Sequence, residues 1–571
     1  MVNITIDGQK VNVADNTTIL EAAKSIGINI PTLCYLKDIN EIGACRVCIV
    51  EIEGCEVLRT SCNTIAEEGM VIKTNSETVR EARKDIVKMI LSKHDSQCPT
   101  CPRNKNCQLQ SLAEQMHIID EPYKKRLPIN KWNREFPLIR EESKCIGCLR
   151  CVNICDKVQS LKVWDLVGSG SRANVAVGSY NTIEESNCSL CGQCITHCPV
   201  GALHERDDSQ KAWQAIQNPQ KVTVVQIAPA VRTAWAEELG LTDAEATEKR
   251  MVAAAKALGF DYMLDTSFSA DLTIMEEGNE FVERFTHRDE YSWPMFTSCC
   301  PGWIRFVKSE YPEYLDNLST AKSPQQMFGA VIKTYFAQKT AINPEDIYSI
   351  SIMPCTAKKY EADVKAVSDA GAGQDVDLVL TTRELARMIK EKGINVRELE
   401  ETEFDSPLGE STGAGVIFGS TGGVMEAALR SAYYLLTGTN PDADAFKAVR
   451  IDEAYQVFAL EIAGATVKIA VSSGLGNARE LLEKIKRKEI ECDFVEIMAC
   501  PGGCSGGGGQ PIVYNSELAT QRGTKLYQLD KERLLRFSHE NSEVQKLYEE
   551  YLGKPLGEKS HHLLHTKQSL W

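Results

Sequence analysis

The placement of the cysteines constrains this chain more than any other feature of its sequence. Of 571 residues, 22 are cysteine. Eight of them form two runs in which gaps of two, two and three residues separate the thiols: Cys145, Cys148, Cys151, Cys155 and Cys188, Cys191, Cys194, Cys198. This spacing is typical of paired 4Fe–4S clusters, where the fourth cysteine of each run ligates the cluster of the other run. We therefore assign Cys145, Cys148, Cys151 and Cys198 to one cluster, and Cys188, Cys191, Cys194 and Cys155 to another.

Metal ligation explains these cysteines better than disulfide bonds. Disulfide-rich secreted proteins are usually small, whereas this chain is long enough for several domains. Its first residues, Met-Val-Asn-Ile-Thr-Ile-Asp, contain neither the basic nor the apolar region of a signal peptide, and no apolar run approaches the length of a transmembrane helix. We therefore expect a cytoplasmic protein. A formal net charge of −15 argues against nucleic acid as a general partner.

The N-terminal residues predict a small β-rich domain with a cluster of its own. Residues 2–13 alternate apolar and polar side chains around Asp7-Gly8, which predicts a β-hairpin, and Thr18 with Glu21 predicts the capping box of a helix. Four cysteines follow: Cys34, Cys45, Cys48 and Cys62. Four thiolates around a central Cys-x2-Cys favour a 2Fe–2S cluster in a ferredoxin-like β-grasp domain, with zinc as the alternative.

A further ligand set combines one histidine with three cysteines. A predicted helix around residues 77–92 leads to His94, Cys98, Cys101 and Cys107. In isolation these residues could bind zinc. Beside the other sets, they resemble the 4Fe–4S site of complex I large subunits and clostridial hydrogenases, whose N-terminal 2Fe–2S spacing this chain also resembles.

Three Gly- and Pro-rich stretches in the second half carry the last ligand candidates. They read Thr297-Ser-Cys-Cys-Pro-Gly-Trp303, Met353-Pro-Cys-Thr-Ala-Lys-Lys-Tyr-Glu361 and Met498-Ala-Cys-Pro-Gly-Gly-Cys-Ser-Gly-Gly-Gly-Gly-Gln-Pro511. They place Cys300, Cys355, Cys500 and Cys504 in separate loops, with Cys299 as a spare thiol. Four thiolates that converge from separate loops suit an iron–sulfur cluster better than zinc, whose sites usually come as paired Cys-x2-Cys.

The three stretches resemble the signature loops of the iron-iron (FeFe) hydrogenases, and the order of motifs along the chain resembles the monomeric clostridial enzymes. The resemblance implies an H-cluster, in which a 4Fe–4S cluster held by these four cysteines is bridged to a diiron subsite with carbonyl, cyanide and dithiolate ligands. It further implies reversible reduction of protons to molecular hydrogen, ferredoxin as the electron donor or acceptor, and maturation enzymes that supply the subsite.

The resemblance also implies roles for residues around this cofactor. Lys358 would bind a cyanide, and the other lining residues would be Ser323, Pro324, Gln325, Met353, Phe418, Gly419 and Met498. A proton relay would run through Cys299, Glu277, Ser319, Glu280 and Arg284. From the charge pattern alone, Glu277, Glu280 and Arg284 would form a solvated helix face, because they lie three and four residues apart.

Together these features predict a multidomain α/β protein with four parts. We expect a 2Fe–2S β-grasp domain at 1–79, a one-His/three-Cys 4Fe–4S domain at 80–125, a two-4Fe–4S ferredoxin domain at 126–209 and a large α/β catalytic domain at 210–571. In the last part, apolar runs predict strands at Val222–Ile227, Ile347–Met353 and Val467–Val471, and helices are expected at Ala244–Leu258 and Thr382–Lys392. The Gly-rich stretch at 413–423 lacks the GxGxxG spacing of a dinucleotide site, which we therefore reject.

Four further interpretations concern the function, the partners, the chain end and the oligomeric state. A non-catalytic electron-transfer or cluster-assembly relative is the alternative to a hydrogenase, although such an assembly protein would tend to lose Cys299, Lys358 and Glu277. Basic residues could dock an acidic carrier such as ferredoxin: Lys88, Lys93, Arg103, Lys105 and Lys124–Arg126. The tail His561-His-Leu-Leu-His565 has a metal-like spacing, but we expect exposed histidines there rather than ligands. The protein is expected to be a monomer.

Overall fold

The computed structural model describes residues 1–120, 123–125, 127–128, 131–170, 173–180, 182–451, 454–462, 464–513 and 518–570. The chain forms two compact units. The N-terminal unit contains Met1–Ser186 and Gln193–His204, and the C-terminal unit contains Asn187–Gly192 and Glu205–Trp571. Within the described residues, no helix is both long enough and apolar enough to cross a membrane.

The N-terminal unit begins with the predicted hairpin. Its strands are β1 (Val2–Ile6), β2 (Gln9–Val13), β3 (Ile49–Ile52), β4 (Arg59–Thr60), β5 (Val71–Lys73), β6 (Leu138–Arg140), β7 (Trp164–Val167), β8 (Asn174–Val177) and β9 (Leu203–Glu205). Its helices are α1 (Ile19–Ser25), α2 (Glu77–Leu91), α3 (Gln108–Gln115), α4 (Arg150–Asn153) and α5 (Gln193–Thr196). The first five strands form one sheet in the order β2-β1-β5-β3-β4, with β1 antiparallel to β2 and parallel to β5.

The first helix starts where the sequence predicts, although its capping is one-sided. The Thr18 hydroxyl accepts a hydrogen bond from the Glu21 backbone N–H at 3.3 Å. The Glu21 carboxylate accepts its hydrogen bond from the Tyr35 hydroxyl at 2.8 Å. Buried apolar residues of α1 and of the sheet, including Leu20, Ile4 and Ile72, pack into one core with Cys48 and Cys62.

The C-terminal unit alternates strands and helices, which confirms its predicted α/β class. Its strands are β10 (Val222–Ile227), β11 (Tyr262–Asp265), β12 (Met295–Phe296), β13 (Ile347–Met353), β14 (Leu378–Thr381), β15 (Tyr455–Ile462), β16 (Ala465–Ser473) and β17 (Phe494–Met498). Its helices are α6 (Ser209–Gln217), α7 (Glu248–Leu258), α8 (Thr266–Thr286), α9 (Pro301–Glu310), α10 (Pro324–Val331), α11 (Ala337–Thr340), α12 (Ala357–Ala362), α13 (Thr382–Glu391), α14 (Gly413–Ile417), α15 (Gly423–Thr437), α16 (Leu475–Lys486), α17 (Ala519–Glu532), α18 (Ser542–Leu547) and α19 (Glu558–Leu564).

Two four-stranded sheets organise this unit. In the first sheet, of order β11-β10-β13-β14, all neighbouring strands are parallel. In the second, of order β12-β17-β16-β15, only the β15–β16 pair is antiparallel. The continuous apolar runs of β10 and β13 are typical of strands buried on both faces, and each strand has the predicted bounds.

One prediction and one alternative need correction here. The helix expected from Ala244 begins at Glu248, because the Thr247 hydroxyl caps it by accepting the Arg250 backbone N–H at 3.1 Å. The solvated face that the charge pattern alone suggests for α8 is also wrong, whereas the relay implied by the resemblance is compatible with the structure: Glu277 is fully buried, and Glu280 and Arg284 are 7% and 5% exposed.

The predicted basic surface is smaller than expected. Arg103 is buried and donates a hydrogen bond to the Asn106 carbonyl, and Lys88 is half-buried beside Asp120. Lys93, Lys105 and Lys124 are exposed, whereas Arg126 lies outside the described residues. Any docking surface would therefore depend on fewer cations than the sequence suggests.

Candidate active site

Each of the three cysteine-bearing loops follows a strand of the C-terminal unit. Cys300 lies at the start of α9, four residues after β12, Cys355 comes two residues after β13, and Cys500 and Cys504 follow β17. Because β12 and β17 are parallel neighbours, with Met295 opposite Phe494, their carboxyl ends lie at the same edge of the sheet. The fold therefore delivers Cys300 and the Cys500 loop to one place.

The four thiols lie close enough to influence one another electrostatically. Burial raises the pKa of Cys355 to about 11, with a further contribution from Cys300. Burial likewise raises the pKa values of Cys500 and Cys504, and the other cysteines of the set add to each shift. Without a cation, the thiols of Cys355, Cys500 and Cys504 would keep their protons. A cluster carrying positive iron ions would displace them, so the donor set fits such a group.

In the part of the chain that the structure describes, the cysteine sets are wider than the ligand set of a mononuclear zinc ion. A tetrahedral zinc ion with Zn–S bonds of about 2.3 Å holds its sulfur ligands about 3.8 Å apart. Among the described residues, the only group of three or more Cys, His, Asp or Glu whose ligand atoms all lie within 4.8 Å of one another is Glu426, Asp444 and Asp530. That group is neutralised by arginines such as Arg430, 2.7 Å from Glu426 and 2.9 Å from Asp530. The cysteine sets are therefore wide enough for polynuclear clusters.

Glycines at 506–509 let the Cys504 loop approach the Cys355 loop. A β-carbon at Gly507 would lie 2.1 Å from the Pro354 carbonyl oxygen, and one at Gly509 would lie 2.9 Å from the Cys355 backbone nitrogen. The Gly-rich stretch at 413–423 also packs closely against a neighbouring backbone, because a β-carbon at Gly415 would lie 2.3 Å from the Ser267 carbonyl oxygen. Close backbone packing accounts for these glycines without a bound phosphate.

Lys358 is held at this site by a buried carboxylate. Its ammonium group lies 2.8 Å from Glu361 Oε2 and donates to the Cys299 carbonyl oxygen at 3.2 Å. The same carboxylate oxygen accepts hydrogen bonds from the Ser323 hydroxyl at 2.9 Å and from Gln325 Nε2 at 3.1 Å. Three of the predicted lining residues are therefore brought together by Glu361, which sequence analysis did not select although it ends a signature loop.

The predicted apolar lining residues lie beside the cysteines. Phe418 and Met498 belong to a buried cluster against which Cys299, Cys300 and Cys504 pack. Met353 belongs to a second cluster, which contacts Cys355. The Gly419 carbonyl accepts a hydrogen bond from the Ser505 backbone N–H at 2.9 Å, next to Cys504. The Pro324 carbonyl accepts one from Ser269 at 2.7 Å, at the start of α10. The first four therefore lie beside the cysteines, and Pro324 lies at the start of the helix that carries Gln325.

The inner carboxyl group of α8 faces the Cys299 loop. Glu277 Oε1 accepts a hydrogen bond from the Ser298 backbone N–H at 3.3 Å, and its Oε2 has no hydrogen-bond partner among the described residues. Burial raises the pKa of Glu277 to about 8, with a further contribution from the charge of Glu280. A carboxyl group with this pKa exchanges protons near neutral pH.

Glu280, the outer carboxyl group of α8, accepts more hydrogen bonds than Glu277 does. Glu280 accepts hydrogen bonds from the Ser319 hydroxyl at 2.7 Å and from Arg284 at 2.6 Å. The Ser319 hydroxyl also lies near Glu277 and lowers the pKa of that carboxyl group, against the larger effect of burial. Arg284 lies 5.5 Å from the ring centre of the exposed Tyr291. The predicted relay residues thus form a line from the Cys299 loop through Ser319 towards the surface.

Two of the predicted cluster sites have all their cysteines in the N-terminal unit. The thiols of Cys34 and Cys45 are hydrogen-bonded, as are those of Cys48 and Cys62, and all four residues are buried. Another cavity brings the first run together with the last cysteine of the second run, and its lining includes Cys145, Cys148, Cys151 and Cys198. This exchange of the fourth cysteine is the arrangement that the spacing predicts.

The other residues that are predicted to ligate the accessory clusters also lie in the described part of the chain. His94 is buried and its Nδ1 lies 2.9 Å from the Lys144 carbonyl oxygen, which can only accept; Nδ1 therefore carries the hydrogen and Nε2 is left to ligate. Cys107 is buried, whereas Cys98 and Cys101 are partly exposed. Cys155 and Cys194 belong to the N-terminal unit, and Cys188 and Cys191 to the C-terminal unit. None of the 22 cysteines, all of which the structure describes, forms a disulfide bond, as metal ligation requires.

Family models match nearly the whole chain in the predicted order. They are a 2Fe-2S iron-sulfur cluster binding domain at 1–77, an NADH-ubiquinone oxidoreductase-G iron-sulfur binding region at 83–122 and a 4Fe-4S dicluster domain at 144–202. The C-terminal domain of the iron only hydrogenase large subunit matches 221–508, and the iron hydrogenase small subunit matches 516–567.

Similar proteins agree with these matches. The chain is 45% identical to the NADP-reducing hydrogenase subunit HndD of Solidesulfovibrio fructosivorans, over 99% of this chain and 98% of that protein. It is 38% identical to Iron hydrogenase 1 of Clostridium pasteurianum, over 99% and 100%. An apo structure of the FeFe-hydrogenase HydA1 from Chlamydomonas reinhardtii is 43% identical with a TM-score of 0.56, covering 62% of this chain and 97% of that one. This chain belongs to the iron-only (FeFe) hydrogenases, with 2Fe–2S and 4Fe–4S domains ahead of an H-cluster domain.

Proposed function

We propose that this hydrogenase reversibly reduces protons to molecular hydrogen with electrons from a ferredoxin. The observation that carries the proposal is that a set of metal-ligating cysteines and a set of proton-exchanging groups lie in the same buried region. Four cysteine thiols come together from three loops, and Glu277, the innermost group of the proposed proton relay, lies against the loop that carries Cys299 and Cys300. A redox reaction that consumes protons needs both.

The residues of the site fit the H-cluster. Cys300, Cys355, Cys500 and Cys504 would hold its 4Fe–4S part, and Lys358 would donate to a cyanide of the diiron part. The bound cofactor supplies the metal centre at which electrons and protons combine. Around it, Met353, Phe418 and Met498 exclude water, because each is at most 6% exposed. A dry pocket keeps protons on the groups that are placed to deliver them.

The protein's own part in the reaction is to move protons in single steps. Arg284 and Glu280 would collect a proton near the surface, and the Ser319 hydroxyl would pass it to Glu277. The raised pKa of Glu277 lets this group hold the proton in a buried place without a charge. The Cys299 thiol would then present the proton to the cofactor, since Cys299 is not needed as a ligand.

The electron path would enter through the accessory clusters. The Cys191 carbonyl oxygen lies 3.5 Å from Cys500 Sγ, so the loop of one proposed accessory cluster touches a proposed ligand of the active site. We keep the cytoplasm as the proposed compartment, because the many free thiols favour reducing surroundings.

A second candidate for the electron partner is a nucleotide-reducing subunit of a larger assembly. It is favoured by the similarity to a subunit of an NADP-reducing hydrogenase over the full length of both chains. Purified protein, matured with its diiron subsite, should evolve hydrogen from reduced ferredoxin but not from NADPH. If a co-purifying subunit makes NADPH the better donor, the second candidate replaces the first.

Infrared spectra test whether the protein carries the diiron subsite on which the proposed hydrogenase activity depends. Carbonyl and cyanide stretches should appear only in protein produced with the maturation enzymes, and hydrogen evolution should accompany them. Protein produced without these enzymes should fold, bind ordinary clusters and be inactive. Hydrogen evolution from such protein, with no diiron complex added, would overturn the proposal.

A further inference from the structure

The C-terminal segment places a buried histidine beside the proposed proton relay. His565 follows α19 directly and is 4% exposed, so the expectation of exposed tail histidines is wrong for this residue and holds for His561. The segment is fixed by backbone pairing: His565 bridges to Ala321 in antiparallel fashion, and the Thr566 N–H donates to the Thr320 carbonyl at 2.8 Å.

The two ring nitrogens of His565 contact different carboxyl systems. Nδ1 lies 2.8 Å from the Thr320 hydroxyl oxygen, and that hydroxyl donates to Glu280 Oε1 at 3.1 Å. Nε2 lies 3.0 Å from Glu276 Oε2. Glu276 is fully buried on α8, next to Glu277 in sequence. A continuous hydrogen-bonded line therefore runs from Glu276 through His565 and Thr320 to the outer relay carboxyl group.

The hydrogen-bond partners along this line allow a hydrogen on each ring nitrogen. The Thr320 hydroxyl has a single hydrogen, which it gives to Glu280, so its oxygen accepts from His565 Nδ1–H. Glu276 accepts hydrogen bonds from the Tyr548 hydroxyl and from the Leu556 backbone N–H at 2.9 Å, as a carboxylate does. His565 Nε2–H can therefore donate to it. With a hydrogen on both nitrogens, the ring would be an imidazolium beside a buried carboxyl group.

We propose that His565 and Thr320 form a side arm of the proton relay, which stores one proton beside Glu280 and delivers it after Glu280 has passed its own proton inward. In the delivery step the Nδ1–H bond breaks, its hydrogen binds Thr320 Oγ1, and the original Thr320 hydrogen binds Glu280 Oε1. His565 becomes neutral and keeps its Nε2–H bond to Glu276. This proposal rests on the relay described under the proposed function.

The charged and titratable neighbours are consistent with such an arm. Glu276 and Tyr548 face His565 from one side, and Glu280 with its partner Arg284 lies beyond Thr320. The exposed His561 stacks on His565, with ring centres 4.8 Å apart, and brings the arm within one ring of solvent. Anchoring the tail does not require the ion pair, because backbone bonds and the Gln568 amide, which donates to the Ser319 carbonyl at 3.1 Å, already hold it.

The test compares hydrogen evolution against pH in fully matured enzyme with a small dye as donor. His565→Gln keeps hydrogen-bonding groups but cannot carry the extra proton, and Thr320→Val removes the bridge while His565 and Glu276 remain. Both variants should match the wild type at about pH 6, where protons are plentiful, and fall about fivefold at about pH 8.5. Thr320→Ser, which restores the hydroxyl, should recover the profile, and His562→Gln is the matched control because His562 is exposed.

The double variant distinguishes a proton-delivery role of His565 and Thr320 from a purely structural role in holding the C-terminal segment. If both groups act in one arm, the double variant His565→Gln/Thr320→Val should be no slower than either single variant. A loss that is equal at every pH, or a native profile in Thr320→Val, would overturn the arm. Failure of the relay itself would look different, because Glu280→Gln would then keep full activity. Failure of the hydrogenase activity would leave even the wild type without hydrogen evolution.

Discussion

Lys358 and Glu361 form a buried ion pair one helical turn apart at the cysteine site, with 2.8 Å between Nζ and Oε2. The lysine side chain is 11% exposed and the carboxylate 2%. A charge buried in this way is stable only while its partner remains, because an unpaired ion has lost its solvation. The pair therefore fixes the direction in which Lys358 points its remaining hydrogens.

Glu361→Gln should impair binding of the diiron subsite. The amide can still accept from Ser323 or Gln325, but it cannot neutralise Lys358, whose ammonium group should then move. We expect the infrared carbonyl and cyanide bands to weaken relative to the 4Fe–4S content, and activity to fall about tenfold or more. Glu345→Gln, at an exposed carboxylate of the same unit, is the control. Native bands and native activity in Glu361→Gln would contradict this role.

Cys299→Ala should leave the cofactor bound and remove its last proton donor. The four other cysteines complete the proposed ligation, whereas a methyl group can neither accept nor donate a proton. Activity should fall by about 100-fold or more while the infrared bands persist. Cys299→Asp should recover part of the rate, and Cys55→Ala, which changes an exposed thiol, should be native. Lost bands in Cys299→Ala would mean that this thiol is a ligand.

Glu277→Gln should change how stability depends on pH. Because burial raises the pKa of Glu277 from 4.5 to about 8, its neutral form is favoured in the folded state, and stability declines as pH rises through this interval. The amide does not ionise, so the variant should keep roughly 2–4 kcal/mol that the wild type loses between about pH 6 and pH 9. Thermal unfolding at the two pH values measures this. The same slope in both proteins would show that Glu277 ionises freely.

Removal of residues 1–204 should separate the electron path from the catalytic site. The cut preserves Glu205, whose carboxylate lies 2.6 Å from Arg383, and the solved relative that covers 62% of this chain indicates that the remainder folds. Dye-driven hydrogen evolution should survive, whereas ferredoxin-driven evolution should fall at least about tenfold further. The cut also removes Leu190, whose carbonyl accepts from Thr356, so a modest loss of stability is expected. Equal losses with both donors would mean that the N-terminal clusters only support the structure.

Local sequence signals predicted most of the framework. The bounds of β10 and β13 follow from apolar runs that fit strands buried on both faces, and the cysteine spacings predicted which thiols share the cavity with Cys198. These signals depend only on neighbouring residues. The start of α7 was missed because Thr247, rather than Ala244, offers the capping hydroxyl.

Long-range burial could not be predicted in the same way. The charges of α8 have the spacing of a solvated face, and only the packing of distant segments shows that Glu276 and Glu277 are enclosed. His565 reaches Thr320 across 245 residues of sequence, and no local pattern reports such a contact. Glu361 was overlooked for a related reason, since a carboxylate beside lysines in a helix resembles an ordinary surface pair.

The glycines at 507 and 509 have a consequence for how this sequence tolerates change. Their missing side chains are the space that the Cys355 loop occupies, so even alanine would force two cysteine-bearing loops apart. In a saturation mutagenesis scan scored by hydrogen production, these loop positions should tolerate fewer substitutions than most of the buried core, where residues of similar volume can exchange. The strictest requirements on side-chain identity would then fall on residues that have no side chain.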